Sequence, residues 1–414
     1  MVSKLLLHNA LLIDGTGVPP VRDAAVLIDD GRIGWAGPGD DIPPSADGAT
    51  RIDVGGNAVC PGFFDCHVHF SLPGTRGSVY ERALVTESYH TFQLLDRLKV
   101  TLENGVTTAR DLMGIDTGVR QAVADGLIPG PRLQVAVNML SQTAGHADFR
   151  LPSGIDATAM MGGARVDSVD DVRRRVRDLI AQGADLIKVA SSGGVSSPTD
   201  QPDWLGMRTE MVAAVVEECQ AYGGRPVAAH AIGYAGVKAA VEGGVTSIEH
   251  GYALDDELRR RMVDQGTYLV PTLLETMHDV EVSPAAKAKS AHWHEIAHRA
   301  VGESAAAGVK IALGTDAGLS PDHGTNLAEL GLLVRFGGLT PMEAIVAGTR
   351  TSAQLCGLDR ELGTLEPGKL ADVVVVRGNP LDDIASVGNP DNILLVLKEG
   401  RPAKDRGGFF DQRH

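Results

Sequence analysis

The chain has 414 residues, 43% hydrophobic and 22% charged, with 50 glycines and few aromatics, enough to bury a large core and a smaller second one. A formal net charge of −15 argues against nucleic acid or an anionic membrane surface as partner. No window approaches the roughly 18 apolar residues of a membrane span, the opening "MVSKLLLHNALLIDGTG" lacks a signal-peptide core, and the four cysteines show no CxxC or ladder spacing, so a reducing cytoplasm is the expected setting.

The first 55 residues alternate and turn like a small β-structure, through "KLLLHNALLIDGTG", "AAVLIDDGRIGWAG" and "TRIDVGGNAV". From residue 58 the texture changes to short apolar runs, each followed by a segment of helical period such as "SVDDVRRRVRDLIAQG" or "TEMVAAVVEECQAYG". Eight runs read as strands, at 58–65, 106–112, 132–138, 185–190, 226–230, 246–250, 268–272 and 310–316. Strand–helix alternation implies parallel βα units, and eight of them fit a (β/α)8 barrel. The predicted fold class is therefore α/β, with a barrel over residues 58–356. A smaller β-sandwich domain is expected from 1–57 together with 357–414, where "GKLADVVVVRGNP" and "ILLVLKEGRPAK" are again strand-like.

Barrel chemistry lies at the C-terminal ends of the strands. There the sequence places His67 and His69 just past the first run, Lys188 on the fourth, His230 and His250 ending the fifth and sixth, and Asp316 ending the eighth. Residues two apart on a strand share a face, so His67 and His69 can reach one metal ion through neutral imidazoles. Each signal alone has a plainer reading. The His67/His69 pair and the two strand-end histidines can be packed or capping residues, and Asp316 can be a helix N-cap. Their recurrence at one rim favours a metal site. Lys188 is the oddest, because a lysine in an apolar strand loses the hydration its ammonium needs. Burial depresses its pKa; a neutral amine can add carbon dioxide, and the resulting carbamate could bridge two cations about 3.5–4 Å apart. The alternative is a lysine that snorkels to the barrel mouth and pairs with a carboxylate.

Taken in order, "PGFFDCHVHF", "KVASSGGVSSPTD", "AAHAIG", "IEHG" and "LGTDAG", closed by "LGTLEPGKLADVVVVRGNPL", resemble the amidohydrolase superfamily over nearly the whole chain. "SQTAGHADFR" and "IKVASSGGVSSPTD" look most like its prolidase-like metallo-carboxypeptidase branch. The resemblance implies two divalent ions, zinc first and cobalt, manganese or iron as alternatives. One would rest on His67, His69 and Asp316, the other on His230 and His250, with Lys188, carboxylated by carbon dioxide, bridging both. His146 would hydrogen-bond the scissile carbonyl. A hydroxide bridging the ions would attack the amide carbon, and Asp316 would take its proton and pass it to the leaving amine.

The expected activity is hydrolysis of an amide or peptide-type C–N bond in a small substrate, of the Xaa-Pro dipeptidase, carboxypeptidase or N-acyl and aryl amide type. Alternatives are a cyclic amide, carbamate or urea-type hydrolase, or a non-catalytic metal-binding assembly protein of the same fold. Many prolidase-like members carry an aromatic residue two after the strand-5 histidine; here it is Ile232, which points to more apolar or aryl substrates. Arg150, Tyr234 and His323 are candidate substrate contacts, Arg150 because a guanidinium matches a carboxylate. A homo-oligomer is expected. A competing signal is "HWHEIAHRA", which holds His294, Glu295 and His298 in HExxH order. It falls in the long helix expected between strands seven and eight, outside the barrel.

Overall fold

The computed structural model describes residues 4–74, 82, 84–150, 153–195, 200–277, 284–319 and 322–410, with backbone only for 284–287. Five strands come first: β1 (Lys4–Leu12), β2 (Val21–Asp29), β3 (Arg32–Pro38), β4 (Thr50–Asp53) and β5 (Ala58–Pro61). Strands and helices then alternate, beginning with β6 (Phe63–Val68), α1 (Glu87–Glu103), β7 (Val106–Asp111), α2 (Thr117–Ala124) and β8 (Arg132–Val135). Next come β9 (Met139–Ser141), β10 (Gly163–Arg165), α3 (Val169–Ala181), β11 (Ile187–Ala190), α4 (Thr209–Ala221) and β12 (Val227–Ala231). The alternation ends with α5 (Tyr234–Glu242), β13 (Ser247–His250), α6 (Asp256–Gln265), β14 (Tyr268–Val270), α7 (Pro284–Ala306) and β15 (Lys310–Ile311). Strands β16 (Val373–Val376), β17 (Ile393–Lys398) and β18 (Arg401–Asp405) lie near the C-terminus.

Three sheets result. Both chain ends build an eight-stranded sheet in the order β18-β17-β16-β5-β1-β2-β3, with β4 beside β1. The other two are parallel, β6-β7-β8 and β10-β9-β11-β12-β13-β14-β15. The architecture is α/β. Strands β11, β12 and β13 are buried along their whole length, as parallel strands covered on both faces must be, and this is why they read as apolar runs. Helices α2, α3 and α6 carry their own start signals: Asp116, Ser168 and Asp255 each accept a first-turn backbone N–H.

Several predicted strands have different bounds, for local reasons. The run at 58–65 divides at Gly62, where β5 pairs with β16 and β1 while β6 pairs with β7. A Cβ at Gly62 would lie 2.2 Å from Thr107 Oγ1, so only glycine lets the chain pass between sheets here. The run at 268–272 stops at Val270 because Pro271 has no N–H to give. The last run keeps ladder pairing only at Lys310 and Ile311. Beyond them Cys66 N donates to Leu313 O (2.8 Å), Asp316 N to His67 O (2.8 Å) and His69 N to Ala317 O (2.8 Å). The chain is thereby held against β6 with Asp316 at φ 61°. Strands β9 and β10, in the connection after β8, carried no sequence signal strong enough to be anticipated.

Asp65 ties this junction together. Its buried carboxyl accepts His67 N (3.0 Å), Thr315 N (3.2 Å), Thr315 Oγ1 (2.6 Å) and Asn326 Nδ2 (2.7 Å). Each buried donor left unpaired costs about 1–3 kcal/mol. Asp65→Ala is therefore expected to destabilise the chain by about 3 kcal/mol or more, and Thr315→Val, which removes a single hydroxyl, by about 1 kcal/mol. Denaturant midpoints at equal m-value check the ranking.

Candidate active site

The strand register brings the polar residues to one level: Ala190 pairs with His230 and Ala231 with His250 on adjacent strands. His67, His69, Lys188, His230, His250 and Asp316 are all buried. The ring centroids of His67 and His69 are 5.3 Å apart, those of His67 and His250 5.1 Å, and those of His230 and His250 4.6 Å. Ligand atoms of His67, His250 and Asp316 lie within 4.8 Å of one another. The six residues expected to act together are thus brought to the same strand ends.

Each imidazole is tied from behind. His67 Nδ1 donates to Glu249 Oε2 (2.9 Å), His69 Nδ1 faces Met113 O (3.4 Å) and His230 Nε2 donates to Gly193 O (3.0 Å). His250 Nδ1 donates to Thr272 Oγ1 (2.8 Å), whose own hydrogen goes to Pro271 O. Burial, above all, holds His67, His230 and His250 well below the usual histidine pKa, so each carries one proton. With that proton committed, the other ring nitrogen presents a bare lone pair, the arrangement that orients a metal-binding histidine. His67 Nε2 lies 3.4 Å and His69 Nε2 3.1 Å from Asp316 Oδ1. A lone pair facing a carboxylate oxygen is repulsive unless a cation lies between them. Burial pushes the Asp316 carboxyl up, but the positive charge around it, Lys188 included, holds it well below the usual carboxylate range.

Lys188 Nζ is buried and has no hydrogen-bond partner among the described residues. Burial lowers its pKa to about 8, against the opposing pull of Glu249 and Asp316. The ammonium still predominates near neutral pH, but the neutral amine, the form that reacts with carbon dioxide, is far more populated than in an exposed lysine. An orphaned amine, tied imidazoles with free lone pairs and a charged carboxylate fit divalent cations by their donor chemistry.

Residues that the sequence did not single out complete the setting. Glu249, fully buried, bridges His67 to Arg110, whose Nη2 reaches Glu249 Oε1 at 2.8 Å. Arg110 Nε also donates to Cys66 O (2.6 Å) and so fixes the backbone that presents His67. His250 adopts φ 71°; this left-handed turn breaks strand alternation and lets neighbouring Glu249 and His250 both serve the site. An acidic residue inside an apolar strand, "TSIEH", was the available signal. His146 stacks on His230 (4.0 Å, 18°). The apolar group Val195, Ile232, Tyr252, Trp293 and Ala297 packs beside the ligand strands, with Tyr252 5.9 Å from His250.

Other candidates lie apart. Arg150 is paired with Asp148 (2.6 Å), and the hydroxyl of half-exposed Tyr234 bonds Asp255. His323 donates Nε2 to Leu72 O (3.2 Å), stacks on Phe70 and borders a cavity of about 400 Å³ with Phe92, Asp96 and Arg97. The HExxH histidines lie on α7. His294 Nε2 bonds Ser290 Oγ (3.1 Å), while His298 bonds Thr276 Oγ1 (2.7 Å) and stacks on Phe336. Among the described residues they join no metal-capable group, and no helix is long and apolar enough to cross a membrane.

The amidohydrolase family model matches residues 58–403. The chain belongs to the amidohydrolase family. It is 35% identical to ochratoxinase of Aspergillus niger over 97% of this chain and 87% of that protein. The crystal structure of A. niger ochratoxinase superposes with TM-score 0.87 at 33% identity, covering 98% of this chain and 96% of the other. A prolidase complexed with n-methylphosphonate-l-proline gives TM-score 0.89 at 32% identity, covering 97% and 100%. Imidazolonepropionase of Paracoccus denitrificans is 27% identical over 89% of this chain and 92% of that one. This amidohydrolase is accordingly an amide-cleaving hydrolase with a histidine–aspartate group able to hold a metal ion.

The Glu249 support has a measurable consequence. Glu249→Gln should weaken metal retention about 10- to 100-fold, as loss of an outer hydrogen-bond partner does, read by elemental analysis after dialysis against buffered zinc. Glu249→Leu should in addition destabilise the fold by about 3–5 kcal/mol, because Arg110 is left buried without its counter-charge.

Proposed function

We propose that this amidohydrolase uses two divalent cations, zinc foremost, to hydrolyse the amide bond of a small N-acyl amino acid or aryl amide. In this reading the two parallel sheets belong to one (β/α)8 barrel over 58–356, and 1–57 with 357–414 form the second domain. The bonds from β6 to residues 313–317 and from Asp185 N to Val135 O (2.9 Å) support that continuity. A single observation carries the metal site: each of the four buried imidazoles spends one nitrogen on a neighbouring acceptor, and those of His67 and His69 keep the other beside Asp316.

His67, His69 and Asp316 would hold one ion, His230 and His250 the other. The Lys188 amine would add carbon dioxide, releasing a proton and leaving a carbamate anion that spans both. When bound, the ions lower the pKa of water and polarise a carbonyl oxygen. Asp316 then accepts a proton from the attacking water and returns it to the leaving nitrogen, because the carbamate would spend both its oxygens on the cations and Asp316 would keep one free. His146, stacked on His230, hydrogen-bonds the carbonyl oxygen of the substrate and steadies the charge that builds there.

The substrate class rests on the wall beside the cations. Val195, Ile232, Tyr252, Trp293 and Ala297 are apolar or aromatic and buried together, which suits a substrate with an apolar or aryl group next to the scissile bond. Arg150 and Tyr234, engaged with Asp148 and Asp255, lend no support to a carboxylate clamp at those positions. The likeness to a prolidase bound to n-methylphosphonate-l-proline keeps dipeptides ending in proline as the second reading.

Zinc-loaded protein should cleave N-acyl-phenylalanine and acyl anilides faster than Xaa-Pro dipeptides, judged by product identification; the reverse order would select the dipeptidase reading. Asp316→Asn should lower kcat by at least about 100-fold. Lys188→Ala should fail to retain paired metal, and the intact-protein mass should lose the added carboxyl group seen with bicarbonate. An unmodified lysine in active wild-type protein would rule out the carbamate.

A further inference from the structure

His146 does not stand alone. It comes from the segment after β9, and its Nδ1 lies 3.0 Å from Asp200 Oδ2. Asp200 is buried, and a carboxylate can only accept, so Nδ1 carries the hydrogen. The ring is also closely packed against Gly194: a Cβ there would lie 2.1 Å from His146 Cε1, so no side chain fits at that position. Lys289, on α7, donates its Nζ to both Gly194 O and Asp200 O, at 3.2 Å each. One lysine thus fixes the backbone that packs on the ring and the backbone that carries its carboxylate. The neighbouring Gly193 O accepts from His230 Nε2. The same stretch therefore sets the planes of both stacked imidazoles.

Building on the amide-hydrolase reading above, we propose that Asp200 is the positioning residue for His146, with Lys289 of α7 as its brace: the carboxylate holds the ring through Nδ1–H and favours a second hydrogen on Nε2, which donates to the substrate carbonyl. An imidazole on a loop can rotate about two torsions and exchange tautomers. A carboxylate at Nδ1 removes both freedoms, which is the service a buried aspartate gives a catalytic histidine in hydrolytic triads. The role differs from that of Glu249. Glu249 acts through His67, a residue proposed to hold metal, whereas Asp200 acts through a residue proposed to contact substrate. Loss of Asp200 should therefore separate turnover from metal content.

The test is a double-mutant cycle with Asp200→Ala, His146→Ala and the double variant in zinc-loaded protein, joined to 15N spectra of histidine-labelled, metal-free protein. Asp200→Ala should lower kcat about 100-fold with KM little changed and metal content equal to wild type. The double variant should be no slower than His146→Ala alone, and Asp200→Glu should recover part of the rate. In the spectra the His146 resonances, assigned by their disappearance in His146→Ala, should show hydrogen on Nδ1 as well as on Nε2 in wild type and lose the preference for Nδ1 in Asp200→Ala. Should Asp200→Ala fail to fold, Asp200→Asn has the same size and serves in its place. Effects that multiply in the cycle, metal loss in step with kcat, or an unchanged His146 tautomer would each overturn the proposal. If wild type cleaves no amide, the functional reading falls, and the spectra alone decide whether Asp200 positions His146.

Discussion

The buried carboxylate of Glu249 is the constraint on which the site depends. It holds His67 Nδ1 on one side and Arg110 Nη2 on the other, and Arg110 in turn grips the Cys66 carbonyl. A guanidinium in a protein interior is tolerated only with a counter-charge, so Arg110 and Glu249 require each other. Their pairing fixes which nitrogen of His67 is protonated. Met113, Gly193 and Thr272 perform the same service for His69, His230 and His250 with neutral acceptors. Four histidines arriving from three strands are thus given defined tautomers before any ligand binds, which spares them reorganisation when one does.

Backbone conformation makes this convergence possible. Ideal strands send successive side chains to opposite faces, which would part Glu249 from His250. Left-handed φ values at His250 (71°), Thr272 (51°) and Asp316 (61°) turn the chain where the strands end. Such conformations cost non-glycine residues about 1–3 kcal/mol each. They persist because the surrounding hydrogen bonds over-determine them: Asp316 N to His67 O, Gly251 N to Ala231 O, and the Thr272 hydroxyl between His250 and Pro271.

What the sequence made legible follows from the same physics. Strand-end histidines and a lysine inside an apolar run stand out because burial makes them anomalous, and His67, His69, Lys188, His230, His250 and Asp316 do come together. Arg110, Glu249 and Asp200 were passed over because their meaning lies in partners far along the chain. His67 and Glu249 are 182 residues apart, and His146 and Asp200 are 54 apart. Arg150 looked available because its partner, Asp148, is a near neighbour on the chain, and a local ion pair leaves no mark on periodicity. The division of the first run at Gly62 was hidden for a similar reason: two strands of different sheets, joined end to end, have the composition of one.

The charges in the interior suggest why Lys188 would be modified only together with metal binding. As an ammonium, Lys188 joins Arg110 in balancing Glu249 and Asp316, and the interior is near neutrality. As a carbamate it adds a negative charge and removes a positive one, leaving an excess of anions where water cannot screen them. Two divalent cations more than offset that excess, and without the carbamate they would meet a site still holding an ammonium. Each event is thus unfavourable alone and favourable with the other. In the proposed site the coupling would by linkage be reciprocal: carbon dioxide would raise the affinity for metal by the same factor that metal would raise the affinity for carbon dioxide. Glu249 stays outside this exchange because Arg110 and His67 already occupy both its oxygens. On the proposed function the charge at the centre would thus change sign while the support that orients the ligands stays in place.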